Sequence, residues 1–354
     1  MSNENRSQNI IDEHNIAPIL AKFGVTEFAQ VELIDTSHGD GDTRLNYIID
    51  KKYVLRVNSA AVMTDARLDE INRLVRRYKD FGLVAPAFIK STDGTFVVKT
   101  EQGNCYLSEY IDEKLADEYI EKNSDGDLSL ELPGYWDEVR DSVIRFAERY
   151  KNVDLSDTMS MYSLFELCPY DFEAGIDEKQ DNLNSLTKTL DDLGESITAD
   201  RLRKLNDDTR NELLTFYKEL PRCVFQGDEN SSNTFVDDDG HFCGLIDFNM
   251  SGTDVITNYF ANIAGYDLDT NKSADGKSAR ELFDEAAEKC EANLKHIKEL
   301  YSMTPQEERA YMLYGKIVLI SGWPNVCLYI AYLKDEQKRD KIVELLNTIV
   351  DKLS

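Results

Sequence analysis

The chain has 354 residues, 42% of them hydrophobic and 30% charged, the make-up of a globular protein long enough for two lobes with a sizeable core. Its formal net charge of −27 argues against a nucleic-acid partner, since phosphate binding needs clustered Lys and Arg. The acidity serves solubility, and it is compatible with cationic small molecules.

Six cysteines stand singly, with no C-x-x-C pair, so neither a zinc ribbon nor a disulfide framework is indicated and a reducing compartment is expected. Four histidines are spread too widely to suggest a metal cluster. The N-terminal MSNENRSQNIIDEH is not a secretion signal, and no apolar stretch reads as long enough to span a membrane. A cytoplasmic protein with no membrane partner is expected.

Spaced apolar residues from Ile10 to Phe23, stopping before Gly24, predict a short helix. Strands follow at Val31–Ile34, in LNYIID and in YVLRV, the first two separated by SHGDGDTR. Gly39 and Gly41 in that loop would let backbone N–H groups approach a phosphate, though an ordinary hairpin loop has the same look. Thr64 to Phe81 is the clearest helix: Thr64 suits the N-cap, Gly82 the stop, and Ile71, Leu74, Val75, Tyr78 and Phe81 form the apolar stripe. After it come FIK, the turn STDG, FVVK and the strand NCYLSEYI.

Acids crowd residues 112–138, where SDGD and Pro133-Gly134 predict a loop-rich insertion. A solvated surface is the simpler account of those acids, and lining a cationic substrate's site is the other. Helices are expected at Tyr135–Asn152, Asp177–Leu193, Ala199–Leu220, Gly276–Leu300, Pro305–Ser321, Asn325–Leu333 and Asp335–Leu353. A β-rich first third and a helical remainder with one inserted hairpin is an α+β order.

That hairpin lies in QGDENSSNTFVDDDGHFCGLIDFN, residues 226–249. TFV and an apolar run ending in GLI flank a DDDG turn, so Asn233 falls just before the first strand and Asp247 just after the second. Asp228 lies five residues before Asn233. Lone Asp and Asn residues often only cap turns. The joint spacing D-x-x-x-x-N then I-D-F matches the kinase catalytic loop and metal-binding tripeptide, in which an Asp takes the proton of the attacking hydroxyl while an Asn and a second Asp hold magnesium. Arg56 in YVLRV stands where the V-A-I-K pattern puts a cation against nucleotide phosphates, and Arg can bind phosphate bidentately.

The segment resembles the catalytic core of the aminoglycoside phosphotransferase and choline kinase family, small-molecule kinases of protein-kinase-like fold, whose motif is H-G-D-x-x-x-x-N, a hairpin, then I-D-F or I-D-W. Gly227 and Asp228 match its Gly and catalytic base, and Asn233 and Asp247 its metal ligands. Gln226 replaces the family's His, Asn249 stands where many members carry Glu, Gly or Asp, and in GTDVITN only Asp254 keeps an acid of the usual G-D-P-x-x-D.

The resemblance implies two lobes: residues 1–111 binding nucleotide, and helical residues 112–354 carrying the catalytic loop, metal site and acceptor pocket. It implies that Glu70 orients Arg56, that Glu109, Tyr110 and Ile111 form a hinge binding the purine of ATP or GTP, and that Mg2+ is the cofactor. The expected partners are a nucleoside triphosphate and a small-molecule acceptor, such as a cationic aminoglycoside, phosphorylated on a hydroxyl. Tyr162, Phe165, Tyr170, Phe172, Trp323 and Tyr329 are candidates to pack on a cation, or simply core aromatics. Two alternatives stay open: a non-catalytic nucleotide-binding protein of kinase fold, and a protein kinase, the latter disfavoured because no A-P-E follows Asp247.

Overall fold

In the computed structural model the described residues are 13–37, 43–59, 62–101, 103–123, 132–169, 175–268 and 276–354. In chain order they form α1 (Glu13–Lys22), β1 (Val31–Asp35), β2 (Arg44–Ile49), β3 (Tyr53–Asn58), α2 (Asp65–Phe81), β4 (Phe88–Ile89), β5 (Val98–Thr100) and β6 (Gly103–Glu109). Then come β7 (Lys114–Leu115), α3 (Ala116–Asn123), α4 (Tyr135–Tyr150), α5 (Glu178–Asp192), α6 (Ser196–Leu214), β8 (Arg222–Phe225), β9 (Thr234–Val236) and β10 (Phe242–Leu245). The chain closes with β11 (Gly252–Val255), α7 (Ile256–Ala264), α8 (Ala279–Leu300), α9 (Pro305–Ser321), α10 (Trp323–Lys334) and α11 (Arg339–Leu353). The expected α+β order, β-rich first and helical after, is present.

Two compact units result, Met1–Tyr135 with Asp228–Asn249, and Trp136–Gly227 with Met250–Ser354. The first is built on an antiparallel sheet in the order β1-β2-β3-β6-β4, with β5 also paired to β6. Strand side chains alternate between faces, and the alternation here separates core from site. Leu45, Tyr47 and Ile49 of β2, Leu55 and Val57 of β3, and Cys105 and Leu107 of β6 are buried in one core with Ile16, Ile19 and Leu20 of α1. The intervening residues, Asn46 and Ile48, Val54, Arg56 and Asn58, Tyr106 and Ser108, share the other face.

Helix α2 has the caps its sequence calls for. Thr64 accepts from the Arg67 N–H at 3.2 Å, and Gly82 closes the helix at φ +103. Residues 112–138 are less loop-like than expected, because Leu115 pairs with Phe235 and Ala116 and Ile120 bury one side of α3.

Strands β7, β9 and β10 form a small sheet of the first unit. The Val84 N–H donates to the Cys243 carbonyl at 2.9 Å, and the Leu245 N–H to the Val84 carbonyl at 2.8 Å. Between those bonds sits Gly244, where an added Cβ would stand 2.3 Å from the Val84 carbonyl oxygen. Only glycine admits that approach.

Among the described residues the second unit is helical apart from the β8–β11 pair. Its core is aromatic: Phe225 and Tyr259 stack at 3.8 Å, and Tyr259, Tyr311, Tyr314 and Tyr329 are buried. Tyr329 is thus a core residue and not a surface for cations. Trp323 is 58% exposed, Phe165 packs on Tyr217 at 4.7 Å, and the Tyr162 ring lies under Lys179 Nζ at 4.9 Å. Tyr170 and Phe172 lie outside the described residues.

Contrary to the sequence expectation, Pro305–Lys334 is apolar and long enough to cross a membrane by length and composition. The stretch breaks at Gly322 into α9 and α10, and half of its most apolar window is buried within the protein, where α9 packs on α5, α6 and α7. A buried core helix passes the same test.

Asp254, the motif acid on β11, is 1% exposed. Its Oδ1 accepts from Asn258 Nδ2 at 2.9 Å, and Ser160 and the Val255 backbone also hydrogen-bond the carboxyl. Burial pushes its carboxyl up to about 6, against the pull of Asn258 and Lys179. A carboxyl raised by folding supports the folded state fully below its unfolded pKa, and that support is lost as pH rises through the folded value. Between pH 4 and 8 the wild type should therefore lose on the order of 2 kcal/mol relative to Asp254→Asn in urea unfolding, and parallel stability curves would refute this. Gly244→Ala should cost about 1–3 kcal/mol in the same measurement through overpacking against Val84.

Candidate active site

Strand β8 leads into Gln226, which is fully buried, and then Gly227 at φ +93. A Cβ on Gly227 would lie 2.4 Å from the Met250 carbonyl oxygen, so the turn into Asp228 requires glycine.

From Asp228 the loop closes on itself. The Asn230 N–H donates to the Asp228 carbonyl at 2.9 Å, and the Asn233 N–H to the Asn230 carbonyl at 3.0 Å. The half-buried Asp228 carboxylate accepts from Asn230 Nδ2 on Oδ1 at 2.8 Å and from Asn233 Nδ2 on Oδ2 at 2.8 Å. Asn233 Nδ2 also donates to the Asp228 carbonyl at 3.0 Å. With its amide nitrogen so engaged, Asn233 keeps its Oδ1 for another partner.

The hairpin register carries Asp247 to the same end. Thr234 pairs with Leu245, and the Ile246 N–H donates to the Asn233 carbonyl at 2.9 Å. Asp247 comes next, in the left-handed region at φ +54, where Asp is tolerated at some cost. Its Oδ1 accepts from the Asn249 N–H at 3.4 Å.

Burial raises the Asp228 carboxyl above the ordinary Asp range, and the Asp247 charge raises it further, while the amides of Asn230 and Asn233 lower it. An amide oxygen and a carboxylate beside a second, repelled carboxylate fit a small hard cation such as Mg2+, which takes few protein ligands and completes its shell with substrate and water. Among the described residues no group of three or more His, Cys, Asp or Glu could hold a metal by itself.

Asn233, Asp247 and Arg56 line one cavity of about 500 Å3 together with Glu109, Tyr110 and Ile111. All of its lining residues belong to the first unit. Its floor is the open face of the sheet, and the register grades it. Ile48 pairs with Val54 at the end next to Glu109 and Tyr110, while Asn46 pairs with Arg56 and Arg44 with Asn58 toward the other end. Ile34, Leu115, Phe235 and Ile246 add apolar wall. One end thus suits a flat apolar ring and the other a charged tail.

At the ring end Glu109 is fixed by structure: its Oε2 accepts from Lys79 Nζ at 2.8 Å and the Ala87 N–H at 3.0 Å. The Tyr110 N–H donates to the Lys52 carbonyl at 2.9 Å, and no backbone partner of the Ile111 N–H is found among the described residues.

Two candidate residues do not line the cavity. Asp228 reaches it through Asn233, and Glu70 stands outside. The expected Arg56–Glu70 pair is not formed: Glu70 pairs with Arg67 on its own helix at 3.3 Å, and Arg56 Nε is buried without a hydrogen-bond partner among the described residues. The (i, i+3) geometry of α2 supplies Glu70 with a nearer cation. Gly39 and Gly41 lie outside the described residues.

Sequence reasoning missed Asn58, Tyr106 and Arg67. Tyr106 is directly opposite Arg56 on β6 and 1% exposed. Burial raises its hydroxyl pKa, with Arg56 lowering it and Asp247 raising it, so all three are electrostatic neighbours. Period-two alternation about Arg56 would have found Asn58 and Val54, but Tyr106 needed the strand register. In metal-free protein, Asn233→Ala should raise the Asp228 pKa further, because a hydrogen bond to the charged form is lost, and Asp247→Asn should lower it. Carboxyl-carbon NMR titration reads both, and shifts of the opposite sign would contradict the geometry.

No protein-family model matches the chain, and no curated protein matches its sequence. Among solved structures it is similar to the streptomycin–ATP ternary complex of the aminoglycoside phosphotransferase APH(2'')-IIa, at 15% identity and TM-score 0.46, over 97% of this chain and 99% of that one. It is also similar to APH(4)-Ia, at 18% identity and TM-score 0.44 over 95% and 98% of the two chains, and to ADP-bound APH(2'')-Ib, at 15%, 0.43, 96% and 99%. Similarity at this level leaves the chemistry to the residues of the site.

Proposed function

We propose that the protein is a kinase that transfers the γ-phosphoryl group of ATP or GTP to a hydroxyl of a small molecule. The observation that carries the reading is the meeting of Asn233, Asp247 and Arg56 on one graded cavity, with Asp228 hydrogen-bonded to Asn233. The purine lies at the Ile48–Val54 end beside Tyr110 and Ile111, and the phosphates run toward Arg56. Arg56, which lines the cavity opposite Tyr106, binds phosphate oxygen. Asn233 Oδ1 and the Asp247 carboxylate would hold Mg2+, which would supply charge neutralisation at the phosphates.

Asp228 orients the acceptor hydroxyl and takes its proton as oxygen attacks phosphorus in line. Its raised pKa makes it a better proton acceptor than an exposed Asp, and the two amides on it hold the carboxylate in place. Most of the rate then comes from positioning and charge neutralisation. The charge of −27 favours a cationic acceptor, with an aminoglycoside-like amine as the class to test first.

Glu70's commitment to Arg67 favours a second reading, a nucleotide-binding protein without transfer, because Arg56 then lacks its usual carboxylate partner. One experiment separates the two. Wild type and Asp228→Asn are incubated with magnesium, ATP or GTP, and a panel of aminoglycosides, choline, sugars and amino acids, with products read by mass spectrometry and nucleotide binding by thermal shift. A product gaining one phosphoryl group, formed about 10²- to 10⁴-fold more slowly by the variant, is expected. Nucleotide binding with no product selects the second reading, and equal turnover by the variant removes Asp228 from the chemistry.

A further inference from the structure

We infer that Arg67 is a positioning residue that holds the metal-binding turn at Asp247 through the backbone, an inference that rests on the kinase reading of the site. Arg67 is 7% exposed, and its Nη2 donates to the Asn249 carbonyl oxygen at 3.0 Å. Its Nη1 is paired with Glu70 Oε2 at 3.3 Å, and Glu70 is itself only 15% exposed. A guanidinium so buried is stable only when paired, and a charge-assisted hydrogen bond to a carbonyl is among the stronger polar contacts.

The turn needs such a clamp. Asp247 sits at φ +54, a conformation that persists only where the surroundings over-determine it. Three contacts do so. The Ile246 N–H is held by the Asn233 carbonyl at 2.9 Å. The Phe248 ring is buried against Tyr78 of α2, with centroids 5.7 Å apart. Arg67 then fixes the Asn249 carbonyl from one helical stretch earlier on α2.

The Arg67 guanidinium takes its countercharge from Glu70, so the acidic residue of α2 supports the metal side of the site, one cation removed. Lysine at position 67 keeps the charge but not the fork that reaches Glu70 and Asn249 together.

The test uses full-length wild type, Arg67→Lys, Arg67→Met and Glu70→Gln. Mn2+ binding is measured by electron paramagnetic resonance with saturating non-hydrolysable nucleotide, nucleotide affinity in EDTA, and phosphoryl transfer against Mg2+ concentration. Arg67→Met should weaken Mn2+ binding about 10- to 100-fold, with Arg67→Lys and Glu70→Gln between it and wild type. Metal-free nucleotide affinity should stay within about twofold, a split that general loss of structure would not give. Unchanged Mn2+ affinity in Arg67→Met, or equal losses of metal and nucleotide binding in all three variants, overturns the inference. Should Arg67→Met fail to fold, Arg67→Lys and Glu70→Gln decide on the same readouts. A wild type that binds Mn2+ but transfers nothing defeats the kinase reading alone, whereas a wild type that binds no metal defeats both.

Discussion

Two carboxylates of the 226–249 segment, Asp228 and Asp247, repel each other in half-buried surroundings, and the local structure is arranged to hold them there. The repulsion, added to burial, keeps Asp228 above its ordinary pKa. Nothing in that pair is favourable by itself, so the amides of Asn230 and Asn233, the left-handed turn at Asp247 and the Arg67 clamp all act to maintain it. Such local cost is the usual mark of a functional site.

The sheet of the first unit divides its labour by alternation. One set of side chains closes a dry core with α1, and the set between them paves the cavity. An Arg in the middle of a β-strand is therefore neither a solvated ornament nor a core defect; Leu55 and Val57 are buried on the far side while Arg56 faces the cavity. The hairpin joins that unit because Val84 threads between Cys243 and Leu245, a passage that Gly244 alone leaves open. Packing and polar chemistry meet at that point, since the same hairpin register aligns Asn233 with Asp247.

Some features were legible because their causes are local. Thr64 and Gly82 delimit α2 through capping, and Thr304 with Pro305 begins α9 with a capping box. The DDDG turn forms as its residues demand, with Asp237 Oδ1 accepting from the Asp239 and His241 N–H groups at 3.0 Å each. Other features were misread where tertiary partners intervene. Residues 114–123 read as an acidic loop, yet pairing with Phe235 makes a strand and helix of them. The apolar run from Pro305 to Lys334 is long enough for a span against the sequence expectation, and packing half-buries its most apolar window in two helices that break at Gly322.

What the sequence by itself determined was the spacing of Asp228, Asn233 and Asp247 around a hairpin, because turn chemistry and strand alternation act over a few residues. Tertiary structure alone decided which charges meet. Glu70 and Arg56 are fourteen residues apart, and nothing local says whether a helix presents its carboxylate to a neighbouring strand or to its own next turn. It left Glu70 to its own-helix neighbour Arg67, set Tyr106 opposite Arg56, and brought Arg67 to a carbonyl 182 positions away. Short-range rules act through backbone geometry, whereas ion pairs and cross-strand contacts depend on how whole elements pack.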